Sequence, residues 1–251
     1  MKMTLLDIVQ SILSDLNSDE VNSVGDTVES LQVANIVKNV FFSMIATRNW
    51  AHLRKGIELI GSGSVDKPTH MSLPEGTKEL EFIQYNKQKA GETRLRYEEV
   101  KYITPDAFLR RSNSFNSDNS TIKVVTDYSG VQLLIQNNKA PDYFTSFDDK
   151  HIVFDSYDSS EDSTLIADKV QAMAYMTPTW NMSDSFVPDL PAEAFPYLLN
   201  ESQSIASYRL NQSADQKAEQ ESARQDAWLA RKNRRVAGGI QYPNYGRRSR
   251  K

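Results

Sequence analysis

Cysteine is absent from the 251 residues of this chain. That removes at once a disulfide framework, a thiolate metal site and a cysteine nucleophile. Long apolar runs are absent too: nothing approaches the ~20 residues needed to cross a bilayer, so no membrane partner is expected. The opening stretch "MKMTLLDIVQSILSDLNSDE" interrupts its apolar residues with Asp7, Gln10 and Asp15, and no export signal is expected from it. The match Asn200-Glu201-Ser202 to a glycosylation acceptor then carries no meaning. Histidine is scarce. His52, His70 and His151 have no second histidine or carboxylate at the spacing of a His-x-x-x-His site, so packing or surface roles are expected for all three.

Motifs of catalysis and cofactor binding are missing as well. "IGSGS" at 60–64 is glycine-rich, but no Gly-Lys-Ser/Thr follows to cradle a phosphate, and it is expected to be a turn. No Gly-x-Ser-x-Gly elbow is present. The densest set of chemically capable groups is acidic: Asp148, Asp149, Asp155, Asp158, Glu161 and Asp162. Their spacing lacks the Asp-x-Asp-x-Asp-Gly form of a calcium loop, and interleaved serines favour a solvated face or a surface for a basic partner. No catalytic residue, cofactor or metal is assigned. An enzyme acting on cell wall would need a poised acid/base pair, and the acidic run shows no partner for one.

What the chain does have is an uneven charge. The formal net charge is −4, yet residues 224–251 hold nine basic residues against Asp226 alone, a net +8, which leaves −12 on the first 223 residues. A basic end on an acidic body suggests a partner that the end must find. Its last stretch, "RKNRRVAGGIQYPNYGRRSRK", carries Gly, Pro and two tyrosines. Two readings follow. Cations with Tyr242 and Tyr245 match the phosphate neutralisation and base stacking of single-strand binders. They equally match an arm laid on a protein, with Arg forks for carboxylates and Tyr as anchors. The −12 body would repel a nucleic acid, which favours the protein.

The pattern of apolar residues divides the chain. Thr4 with Asp7 forms a capping box ahead of Leu5, Ile8, Val9, Ile12, Leu13 and Leu16, predicting a helix over about 4–16. Asp26 with Glu29 repeats the signal before a helix from about Thr27 to Trp50. Alternating short stretches then take over: "GIELIGSG", "KELEFIQYN", "TRLRYEEVKYI", a pair of strands about Tyr128-Ser129-Gly130, and another pair about Asp148-Asp149-Lys150. A short helix after Pro105 interrupts them. Leu165, Ile166, Val170, Met173 and Ala174 predict a helix from Ser163 to Pro178. "PTWNMSDSFVPDLP" is too apolar for a free linker and is expected to pack onto the body. Further helices are expected over 191–211, with Pro191 in its first turn, and over 214–235.

The last of these helices has a thin apolar seam of Ala214, Ala218, Ser222, Gln225 and Leu229. Burial stabilises docking in proportion to area, so this helix is expected either to lie along another helix by its alanine stripe or to wait for another subunit. Residues 214–251 are expected to order on assembly. The expected class is α+β: a helical bundle from the N- and C-terminal helices (1–53 and 158–235), an inserted antiparallel β-rich module (54–157) and an extended basic C-terminal arm (236–251).

Laid out in this way, the chain resembles the head-to-tail adaptors of short-tailed phages, the connector or tail tubular protein A-like family. The resemblance rests on "LLDIVQSILSDLNSDEVNSVGDTVESLQVANIVKNVFF", "RNWAHLRK", "PTHMSLPE", "FTSFDDKHIVFDSYDSSEDSTL", "PDLPAEAFPYLLNES", "QKAEQESARQDAWLARKNRR" and "GGIQYPNYGRR", in that order along most of the chain. It implies a virion structural protein, made in the host cytoplasm and placed at the head–tail junction. The implied assembly is a dodecameric ring beneath the portal protein, meeting a tail nozzle protein below and passing genomic DNA without sequence-specific binding. The family brings no catalytic residues. The expected contacts with portal or neighbouring subunit are Trp228, Leu229, Arg231, Arg234 and Arg235 in the last helix, and Tyr242, Tyr245, Arg247 and Arg248 in the arm. Packing within the chain's own helices is the alternative for Trp228 and Leu229, and solubilising charge for Arg247 and Arg248.

Overall fold

The structure, a computed structural model, describes residues 2–165 and 169–236. The chain divides into two compact units, Met1–Leu53 with Pro178–Lys251, and Arg54–Thr177. Among the described residues no helix is long and apolar enough to cross a membrane.

In the first unit, helix α1 (Leu5–Asp15) starts where Thr4 and Asp7 exchange side-chain-to-backbone hydrogen bonds, as the capping signal predicts. Helix α2 (Val28–Thr47) begins differently from expectation. Its box is Thr27 with Ser30. Asp26 instead accepts the N–H groups of Asn22 and Ser23, each at 2.8 Å, and so shapes the preceding loop. Glu29 accepts the Ser18 hydroxyl at 2.8 Å. The faces of α1 and α2 meet through Leu5, Ile8, Ile12, Val33, Val37 and Phe41, all buried. The loop before α4 packs on this core as expected. Trp180 lies 5.1 Å from the Phe41 ring and 4.8 Å from that of Phe186, and the Asp184 carboxylate accepts the Val24 N–H at 2.7 Å. A 3-10 turn at Ala192–Ala194 leads into helix α4 (Phe195–Asn211), and helix α5 (Gln216–Val236) follows.

The second unit overturns the expected class. The protein is mixed α/β, with five helices among the described residues, and a large curled sheet dominates it rather than a bundle of terminal helices carrying a smaller β insert. The strands are β1 (Arg54–Ile57), β2 (Ile60–Gly61), β3 (His70–Ser72), β4 (Thr77–Asn86) and β5 (Tyr97–Tyr102), then β6 (Ile122–Thr126), β7 (Gln132–Gln136), β8 (Tyr143–Thr145), β9 (His151–Phe154) and β10 (Val170–Met176). Eight of them form one sheet in the order β1-β10-β4-β5-β8-β9-β3-β2, while β6 and β7 pair as a separate hairpin.

Strand β10 is the main cause of the correction. Its segment was expected to be helical, because Val170, Met173 and Ala174 fit a 3.6-residue period. The same segment also fits a period of two: Val170, Ala172 and Ala174 are buried while Gln171 is exposed. Pairing decides between the two. β10 is held antiparallel by β1 on one side and β4 on the other, partners far away in sequence that local spacing does not reveal. Register shifts in its pairing with β4, at Met173/Ala174 and Tyr175/Met176, add the local twist that curls a sheet.

The expected antiparallel arrangement is also corrected at one seam. β5 and β8 run parallel, which demands a long crossover. Residues 103–142 supply it, carrying helix α3 (Pro105–Ser112) and the β6–β7 hairpin. That hairpin turns about Tyr128-Ser129-Gly130 as expected, with Gly130 at φ +84, in the left-handed region where glycine is unstrained.

Candidate interface on the last helix

Helix α5 is highly polar, and its attachment follows from that. Among its described side chains, Ala218, Ser222 and Leu229 are buried, and Leu229 joins the apolar core of the first unit. Polar bonds supply the rest of the docking. Asp215 caps the helix by accepting the N–H groups of Lys217 and Ala218, each at 3.0 Å, and also accepts Gln203 Nε2 of α4 at 3.1 Å. The Ser222 hydroxyl donates to Glu201. Asn200 Nδ2 donates to Gln225 at 3.1 Å. Arg48 pairs with Asp226, and Lys232 with Glu193. Burial, reinforced by the Glu201 and Asp226 carboxylates, pushes the Tyr197 phenol beside this ladder up to about 12, so it stays protonated at any physiological pH.

The expected contact residues therefore fall in different places. Trp228 is 48% exposed, with Lys232 Nζ 5.4 Å from its ring centroid. Arg231 is exposed, whereas Leu229 points inward at 4% exposure. Arg234 and Arg235 lie in the helical span, but their side chains are outside the described residues, as are Tyr242, Tyr245, Arg247 and Arg248 altogether. Of the two alternatives for the helix itself, the structure takes the first: over Gln216–Val236 it is formed and laid along α4 within the chain. An alanine seam too thin to hold by burial is supplemented by side-chain bonds along Gln216–Val236.

The acidic run proves to be several local devices. Asp148 accepts the N–H groups of Lys150 and His151, at 3.0 and 2.8 Å, and lies 2.5 Å from His151 Nδ1. Asp155 is buried and accepts the N–H groups of Asp142 and Tyr143, both at 3.0 Å. Asp158 accepts from Ser160, and Glu161 from the Ala90 N–H at 2.7 Å. Each of these carboxylates serves a separate turn or strand end.

One cluster escaped sequence reasoning. His70 is fully buried, with Nε2 3.0 Å from Asp127 Oδ1. Tyr128 packs edge-on to His70, with ring centroids 5.5 Å apart, stacks on His151 at 4.1 Å, and carries Lys67 Nζ 4.1 Å from its centroid. Burial lowers the His70 pKa against the pull of Asp127. Burial would raise Asp127, but bonds from Ser129 and His70 outweigh it and hold that carboxyl below its usual range. The Ser129 hydroxyl donates to Asp127 at 2.5 Å and does not reach His70, so the three are not wired as nucleophile, base and orienter. The arrangement pins the β6–β7 turn onto β3 and the start of β9. Its partners are 57 residues apart in the chain, and short spacing rules do not detect such pairs.

No protein-family model matches the chain, and no curated protein sequence matches it significantly.

Proposed function

We propose that this chain is a structural protein of a short-tailed phage virion: a head-to-tail adaptor without catalysis or cofactor, whose copies form a ring joining the portal to the tail nozzle around the DNA channel. The observation that carries the reading is α5. It is docked mainly by polar bonds, leaves Trp228 on its outer side, and leads into the most cationic part of an otherwise acidic chain. Exposed tryptophan flanked by arginine is the composition of interface anchors. A ring needs unlike faces that fit one another, and a basic extension meeting an acidic neighbour satisfies that. A channel wall drawn from the −12 portion would let DNA pass without sticking. The order of the segments that resemble the adaptor family adds to this support.

The test is the mass of the chain mixed with its portal ring, by mass photometry. A ring on the portal is expected, with deletion of 236–251 weakening it. The nucleic-acid reading, favoured only by the basic residues with Tyr242 and Tyr245, predicts instead that the deletion abolishes DNA retention at low salt and leaves portal docking intact.

A further inference from the structure

Within the second unit the curled sheet holds an open groove of about 660 Å³, in the range of clefts that take a few side chains rather than a folded domain. Its apolar lining includes Leu80 and Phe82 of β4, Tyr102 of β5 and Phe144 of β8. Tyr102 is 58% exposed and meets the Phe144 ring edge-on at 5.6 Å. Glu79, Glu81, Glu99 and Asp149 also line it, against one lysine, Lys78. Glu81 is neutralised by Arg54. The Glu99 and Asp149 carboxylates are exposed and have no ion-pair partner among the described residues. Aromatic surface beside unpaired acid asks for an occupant with apolar side chains, several cations and no acid.

Residues 237–251 of this chain have that composition: Ile240, Tyr242 and Tyr245 with Arg247, Arg248, Arg250 and Lys251, and no Asp or Glu. Fifteen residues reach at most about 50 Å when extended. We propose that the groove receives residues 237–251 of a second copy of this chain, tyrosines on the aromatic lining and cations at Glu99 and Asp149. This rests on the reading that copies of the chain meet in a ring, and it specifies one contact by which they do so.

The absence of native cysteine makes the test clean. Two single variants, Tyr102→Cys and Tyr242→Cys, are mixed as full chains under mild oxidation, alone and with the portal ring. A mixed disulfide dimer is expected, exceeding either variant alone and exceeding Tyr242→Cys mixed with Val28→Cys, whose thiol is exposed on α2 outside the groove. Reversing both rim charges (Glu99→Lys with Asp149→Lys) is expected to lower the yield about tenfold, with the melting temperature confirming that the variant folds. Equal yield with Val28→Cys, no disulfide in either preparation, or a Tyr102→Cys/Tyr242→Cys double variant that closes only within one chain each overturns the proposal. A ring that still forms on the portal without the disulfide overturns this contact and leaves the adaptor reading standing, whereas no particle at all removes both.

Discussion

Helices α1 and α5 dock in the same unit by opposite means. Five of the eleven residues of α1 are buried apolar side chains, each stabilising by roughly 1.5–3 kcal/mol. Of the longer α5, the described side chains bury only Leu229 and two small residues, and the remaining attachment is a ladder of polar pairs, several of them half-exposed. Exposed pairs contribute about 0–1 kcal/mol each. The first helix is therefore part of the cooperative core, and the last is an attachment that opens at lower cost. Polar docking lets a helix be ordered in the chain and still detach without exposing a large apolar face.

That contrast can be broken most severely at the core. Phe41→Ala should cost about 3–5 kcal/mol, seen as an earlier urea midpoint for the unfolding of the first unit. Leu229→Ala should cost about 2 kcal/mol, read by hydrogen exchange as faster amides in α5 while those of α1 and α2 remain protected. Equal acceleration in all three helices would show that α5 is as integral as α1. Glu201→Ala removes the acceptor of the buried Ser222 hydroxyl and should cost about 1 kcal/mol, again confined to α5. In the second unit, His70 sets a pH dependence. Its folded pKa is depressed by burial, so the unfolded chain binds the proton more readily, and stability present above the unfolded value near 6.5 is lost as pH falls below it. The melting temperature should fall from pH 7 to pH 5, and His70→Gln should flatten that slope. Smallest for folding is Trp228→Ala, expected within about 0.5 kcal/mol of the parent; under the proposed adaptor function the same variant should weaken association with portal or neighbour tenfold or more.

Legibility in the sequence followed the range of the interactions. Thr4 with Asp7 was readable because a capping box is closed by residues three apart. The Tyr128-Ser129-Gly130 turn was readable because its glycine and its flanking alternation are adjacent. Strand β10 was not, since two of its three buried positions also fit a helix and its true partners lie near residues 54 and 80. The Thr27–Ser30 box was hidden by the stronger acidic signal one residue earlier. For the candidate interface, the thin seam and the basic end were visible in composition. The ladder from Asn200, Glu201 and Gln203 was not, because matching donors to acceptors between two helices requires their rotation and offset. The groove drew residues from β4, β5, β8 and the start of β9, strands whose neighbourhood depends on a parallel seam that local alternation does not encode.

The pairing of β1 with β10 joins the first and last strands of its unit, Arg54 opposite Tyr175. During synthesis the ribosome must therefore release more than a hundred residues before that pairing can close. Until β10 emerges, β1 has no partner in the sheet and the outer edge of β4 stands open, the state in which a nascent chain is most prone to stick to another.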